Sequence, residues 1–113
     1  MDPTQARDLL SRERARIEGA LTALRAEPSD ELSDLDQHPA DTATDLFEKE
    51  RDDGMADRLR EELAALERAE RRLEEGNYGR SVDSGDPIPD ARLEAVPYAE
   101  RTAEEQTRFE HGR

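Results

Sequence analysis

The amino-acid sequence predicts a mostly α protein: an antiparallel coiled-coil hairpin, then a small turn-rich knot and a C-terminal helix. Three observations carry this. Leucine and isoleucine recur at heptad spacings in two separate segments, an acidic turn containing Pro28 divides those segments, and beyond Gly76 the chain fills with glycine and proline. The division expected is a hairpin over 1–75, with an acidic tip near 27–43, and a knot with its terminal helix over 76–113.

The first helix is expected over about residues 3–26. Asp2 followed by Pro3 is an N-cap with proline in the first turn, where its missing N–H costs nothing. Leu10, Ile17, Leu21 and Leu24 follow at spacings of 7, 4 and 3, one seam of a heptad pattern. Pro28 and Ser29 break the helix. Residues 27–38 are acidic and turn-like. The second helix is expected over about 39–75, with Asp36 as a cap, Pro39 near the first turn, and Asp41 and Asp45 where the helix dipole favours negative charge. Its seam is Leu59, Leu63, Leu66 and Leu73, in the phase of the first helix, with Phe47 and Met55 extending it less regularly. Gly54 weakens it locally and Gly76 is a natural C-terminal stop. Arg7, Arg14 and Glu70 fall at core-type positions, so the seam is not purely apolar. After Gly76 turns are expected at Gly79, Gly85, Pro87, Pro89 and Pro97. A short helix is expected over 90–95 and a last helix over 98–110, with Tyr98, Thr102, Glu105 and Phe109 along one side.

Composition limits the function. Of 113 residues, 17 are basic and 30 acidic, a net charge of −13. Leu, Ile, Val and Phe make up under a fifth of the chain, which excludes a large globular core but not long helices with a narrow seam. Lys49 is the sole lysine. Direct DNA or RNA binding and docking on an anionic membrane need clustered basic residues and are excluded; a basic partner is favoured. Cysteine is absent, which rules out disulfides and thiolate metal sites. No apolar run approaches the roughly 20 residues of a spanning helix, and the N-terminal residues have no signal-peptide core. A soluble, cytoplasmic protein is expected. The acidic loop lacks the spacing of a calcium loop, and His38 and His111 stand alone. No nucleophile–base pattern occurs, so no catalytic residues are assigned and the chain is not expected to be an enzyme.

Residues 76–106 carry the most specific pattern: Tyr78-Gly79, Gly85-Asp-Pro-Ile-Pro89, then Arg92-Leu-Glu-Ala-Val-Pro-Tyr-Ala99. It resembles the C-terminal domain of the DksA/TraR family of bacterial transcription regulators. In that family the frame carries two Cys-x-x-Cys pairs, and the four thiolates hold one zinc. Here the four ligand positions are Ser81, Ser84, Thr102 and Glu105. Hydroxyls are weak zinc ligands near neutral pH, so the knot is expected to be a degenerate, metal-free zinc-finger-like fold with no cofactor. Ser81, Ser84 and Thr102 would hydrogen-bond one another and nearby backbone, over a small core of Tyr78, Ile88, Leu93, Val96 and Tyr98.

The resemblance implies a partner, RNA polymerase, entered at its secondary channel by the hairpin tip. The family's tip motif, Asp-x-x-Asp-x-Ala, falls on His38-Pro39-Ala40-Asp41-Thr42-Ala43. Asp41 and Ala43 match, His38 replaces the first Asp, and Asp34 and Asp36 could supply the missing charge. Asp36 and Asp41 are also explained as helix caps alone. Family members that bind guanosine tetraphosphate use basic residues at positions that are Ala65, Val96 and Gln106 here, with Arg58 and Arg92 remaining, so that nucleotide is not expected. The function implied is a monomeric, non-enzymatic transcription regulator. The alternative is a coiled-coil interaction or assembly module that keeps the scaffold without acting on polymerase.

Overall fold

The computed structural model describes residues 1–25 and 42–112, with side chains from residue 46 onward in the second segment. The order is α1 (Pro3–Arg25), α2 (Thr42–Glu75), α3 (Asp90–Ala95) and α4 (Ala103–His111), with no strand among the described residues. The extents are 56 × 33 × 20 Å and the radius of gyration is 18.6 Å, against about 13 Å for a compact domain of this length. The molecule is a rod with a small body at one end.

Helices α1 and α2 form an antiparallel pair. Arg14 reaches Glu70 and Arg16 reaches Glu62, so position rises along α1 as it falls along α2. The expected seam is the observed core. Leu10, Ile17, Leu21, Leu59 and Leu66 are buried, Ala69 joins them, and Leu24, Leu63 and Leu73 pack at the margins. Burying Leu or Ile here contributes about 1.5–3 kcal/mol each, which is what a chain with so few apolar residues must rely on. Arg14 forms a polar layer in the seam. Its Nε–H donates to Glu70 Oε2 at 3.0 Å and its second nitrogen to Glu70 Oε1 at 2.7 Å, while Glu18 accepts from its third nitrogen at 2.8 Å. Hydrogen bonding by Glu70, then Glu18, raises the Arg14 pKa further.

Phe47 and Met55 do not extend the core: both are exposed, as is Leu46. Their register drifts off the seam, and Ala56 is the outermost α2 residue of this cluster. Helix α2 passes through Gly54 without interruption.

The last helix differs from expectation. It starts at Ala103, not near 98. Thr102 is extended at φ −67 and ψ 164, and it caps the helix with its side chain. Residues 97–98 form a turn and 99–102 are non-helical instead, with Ala99 N–H donating to Val96 O at 2.9 Å. Tyr98 and Thr102 therefore do not share a helical face with Phe109. Tyr98 packs against the hairpin core, and Ala99 takes the place expected for it beside Ile88 and Leu93, with Tyr78 and Val96 around them.

Candidate functional site

The knot is built from one tight loop and one helix start. Arg80 and Pro87 form a single antiparallel bridge. Ser81 N–H donates to Asp86 O at 2.8 Å, and Ile88 N–H to Gly79 O at 2.7 Å. Gly79 and Gly85 supply the left-handed conformations this loop requires, at φ +87 and φ +79.

Inside the loop, Ser81 Oγ accepts from the backbone N–H groups of Asp83 at 3.0 Å and Ser84 at 3.2 Å. Ser84 Oγ accepts from Asp86 N–H at 3.1 Å. At the start of α4, Thr102 Oγ1 accepts from Glu105 N–H at 3.2 Å, and Glu105 Oε1 accepts from Thr102 N–H at 2.9 Å. This is a capping box, two helix-end donors satisfied reciprocally. The two pieces meet at Glu105. The hydroxyls of Ser81 and Ser84, then the Thr102 N–H, draw its carboxyl pKa down to about 2. Ser81 and Glu105 are the buried polar or charged residues of the described chain, 5% and 8% exposed.

The four sequence-derived positions thus come together as one hydrogen-bonded cluster. They do not fit a structural zinc. Such a site takes four Cys or His donors, largely anionic sulfur. Here three neutral hydroxyls accept from backbone N–H groups and one carboxylate accepts from its neighbours. Among the described residues no group of three or more His, Cys, Asp or Glu is placed to hold a metal. The capping role of Thr102 and Glu105 was not expected from the sequence, although Thr-x-x-Glu is its signature.

Glu100 ties the knot to the rod. It accepts from Arg68 Nε at 2.8 Å and from Arg72 at 3.4 Å. Burial opposes its ionisation, but Arg68 first, with Arg72 and Arg101, outweighs burial and holds the pKa below its ordinary 4.5. Arg72 also reaches Ala99 O at 3.5 Å. Tyr78 O–H donates to Pro97 O at 2.7 Å, and burial pushes its pKa up to about 12.

Between α2, the knot and α4 lies an open groove of about 640 Å³. Ala65, Arg92, Val96 and Gln106 line it, and Arg58 does not. Its arginines are engaged: Arg68 with Glu100, Arg92 with Arg101 O at 2.7 Å, and Arg101 with Asp83 at 2.8 Å. The Arg101 guanidinium also stacks over Phe109, 3.8 Å from the ring centroid.

The tip residues Asp34, Asp36, His38 and Asp41 lie outside the described residues. Ala43 is in the first turn of α2, where the backbone alone is described.

Comparison with known proteins gives a consistent result. Residues 76–111 match the prokaryotic DksA/TraR C4-type zinc finger. The chain is 45% identical over 74 residues to YteA of Bacillus subtilis, covering 66% of this chain and 31% of that protein. It is 44% identical over 54 residues to the RNA polymerase-binding transcription factor DksA of Caulobacter vibrioides, covering 48% of this chain and 38% of that one. The chain spans about a third to a half of the length of the curated relatives it matches. The structure of transcription factor DksA2 from Pseudomonas aeruginosa superposes with a TM-score of 0.70 at 31% identity, covering 96% of this chain and 83% of that one.

Proposed function

The chain belongs to the DksA/TraR family, and from that premise we propose that it is a non-enzymatic transcription regulator that binds RNA polymerase through the secondary channel. The observation that carries this reading is the rod-and-knot architecture, which follows a solved transcription factor, DksA2, over 96% of this chain. The name of the Caulobacter relative supplies the partner. Charge supports it: a rod on a chain of net charge −13 suits a positively lined channel. In this reading Asp41 and Ala43 act at the tip, Asp34 and Asp36 add charge, His38 stands at the departure from the family motif, and the knot with α4 contacts the channel rim. The protein is a monomer in this reading, and it works without guanosine tetraphosphate because Ala65, Val96 and Gln106 add no cation to the groove and its arginines are already paired.

The test is binding of the purified chain to RNA polymerase core, wild type beside an Asp41→Asn, Ala43→Thr double variant, with a transcript-cleavage factor as competitor for the channel. Micromolar or tighter binding that salt weakens and the competitor displaces is expected, with a functional defect in the double variant. No binding at low salt overturns the reading.

One observation favours the alternative, an interaction module: Leu46, Phe47 and Met55 are exposed along α2. A salt-tolerant dimer in sedimentation, without polymerase binding, is its expected signature.

A further inference from the structure

We infer that Glu105 has taken over the structural role of the family's metal, so that a carboxylate–hydroxyl cluster, not an ion, locks the loop at 80–86 to the start of α4. The inference is independent of the polymerase reading. Three observations carry it. The four positions that hold thiolates in the family are occupied by groups that complete one another. Ser81 and Ser84 shape the loop by accepting from backbone N–H groups, and their O–H groups donate to the Glu105 carboxylate from the loop side. Thr102 N–H holds the same carboxylate from the helix side at 2.9 Å.

The second observation is burial. A carboxylate removed from water needs compensating donors. Glu105 is 8% exposed, and the donors drawn to it come from both sides of the junction. The third is spacing. Ser81-x-x-Ser84 is a tight turn and Thr102-x-x-Glu105 a helix cap. Both place two side chains three residues apart, as a Cys-x-x-Cys pair requires. The backbone frame of the four-thiolate centre is therefore preserved while its chemistry has changed from coordination to hydrogen bonding. Further links cross the same junction without any ion. Val82 N–H donates to Glu100 O at 2.8 Å, and Arg101 Nε–H donates to Asp83 at 2.8 Å.

The test uses the full chain with metal analysis and thermal unfolding, with and without EDTA. The expected result is metal content far below one zinc per chain, a Tm that EDTA and peroxide leave unchanged, and a Tm lowered by several degrees in Glu105→Ala and less in Glu105→Gln. Faster proteolysis within 76–111 in Glu105→Ala localises the loss. A quadruple variant, S81C/S84C/T102C/E105C, is expected to take up one zinc and become EDTA-sensitive. Stoichiometric zinc in the wild type with EDTA-sensitive melting overturns the inference. So does a Glu105→Ala variant as stable as wild type, or a quadruple variant that takes up no zinc.

Discussion

Replacing Glu100 by alanine should loosen the knot from the rod, and which arginine suffers tests how burial weighs against distance. Arg68 is the nearer partner, bidentate at 2.8 and 3.3 Å, and it does most to lower the Glu100 pKa, but its side chain is 50% exposed. Arg72 is further, at 3.4 Å, but 14% exposed, and its Nε is buried without a partner. Coulomb energy scales inversely with distance and with the effective dielectric constant. The distance advantage of Arg68 is small, whereas a fall in effective dielectric from about 80 to about 20 favours Arg72 roughly three-fold. Discounting the exposed pair for screening leaves it about 0.5 kcal/mol. A part-buried charged hydrogen bond contributes about 1.5–3 kcal/mol. Glu100→Ala should therefore cost about 2–3 kcal/mol, a Tm fall of about 8–12 °C for a chain of this size. Urea unfolding of the single and double variants, combined as two double-mutant cycles, measures the coupling of Glu100 to each arginine. The expected coupling is larger for Arg72. A larger coupling to Arg68, or a Glu100→Ala cost below about 0.5 kcal/mol, refutes the burial argument. The pH dependence gives a second reading. With its folded pKa below 4.5, Glu100 stabilises the fold fully above that value, and the contribution is lost as pH falls through the folded pKa. Glu100→Ala should flatten the stability profile on that acidic side.

Three further outcomes are expected. Leu66 is fully buried between the helices, so Leu66→Ala should cost about 2–5 kcal/mol in urea unfolding, with the spread set by how far the seam collapses. Glu70→Ala should destabilise the hairpin by about 1 kcal/mol through the part-buried Arg14 it leaves, while Arg14→Leu with Glu70→Leu should be neutral or stabilising, as chemical denaturation will report. Gly79→Ala places a methyl 3.6 Å from Leu93 Cδ1 at φ +87; the space suffices, the backbone does not, and a loss of about 1–2 kcal/mol is expected in thermal unfolding.

The hairpin was legible because a heptad repeat fixes which residues face a partner helix. Leu10, Ile17 and Leu66 could point only inward once both segments were helical. Arg14 and Glu70 stood out for the same reason, as polar residues on an apolar face. The terminal helix starts later than its pattern suggests because Tyr98, Thr102, Glu105 and Phe109 mimic a helical face, whereas the local chemistry of Thr102 and Glu105 makes an N-terminal cap, which starts the helix at Ala103. Ala99 was missed in the knot core because a small side chain carries little pattern. The Glu100 contacts to Arg68 and Arg72 join residues 32 and 28 positions apart. They follow from how the knot docks on α2, which no local pattern encodes. The knot positions were legible as a set only through the family frame; hydrogen bonding of Ser81, Ser84 and Thr102 to nearby backbone follows from their hydroxyls, but Glu105 as the group on which they converge does not.

Helix α2 is one unbroken element of 34 residues, with the knot docked at one end and Thr42 at the other. That gives it the properties of a lever. At 1.5 Å per residue it is about 51 Å long, and a rotation of about 5° about the knot end carries the far end through about 4 Å. Contacts as small as those of Glu100 thus command displacements at the distant end that exceed the length of a hydrogen bond. Mutations in the base can retune what happens at the far end without altering any residue there.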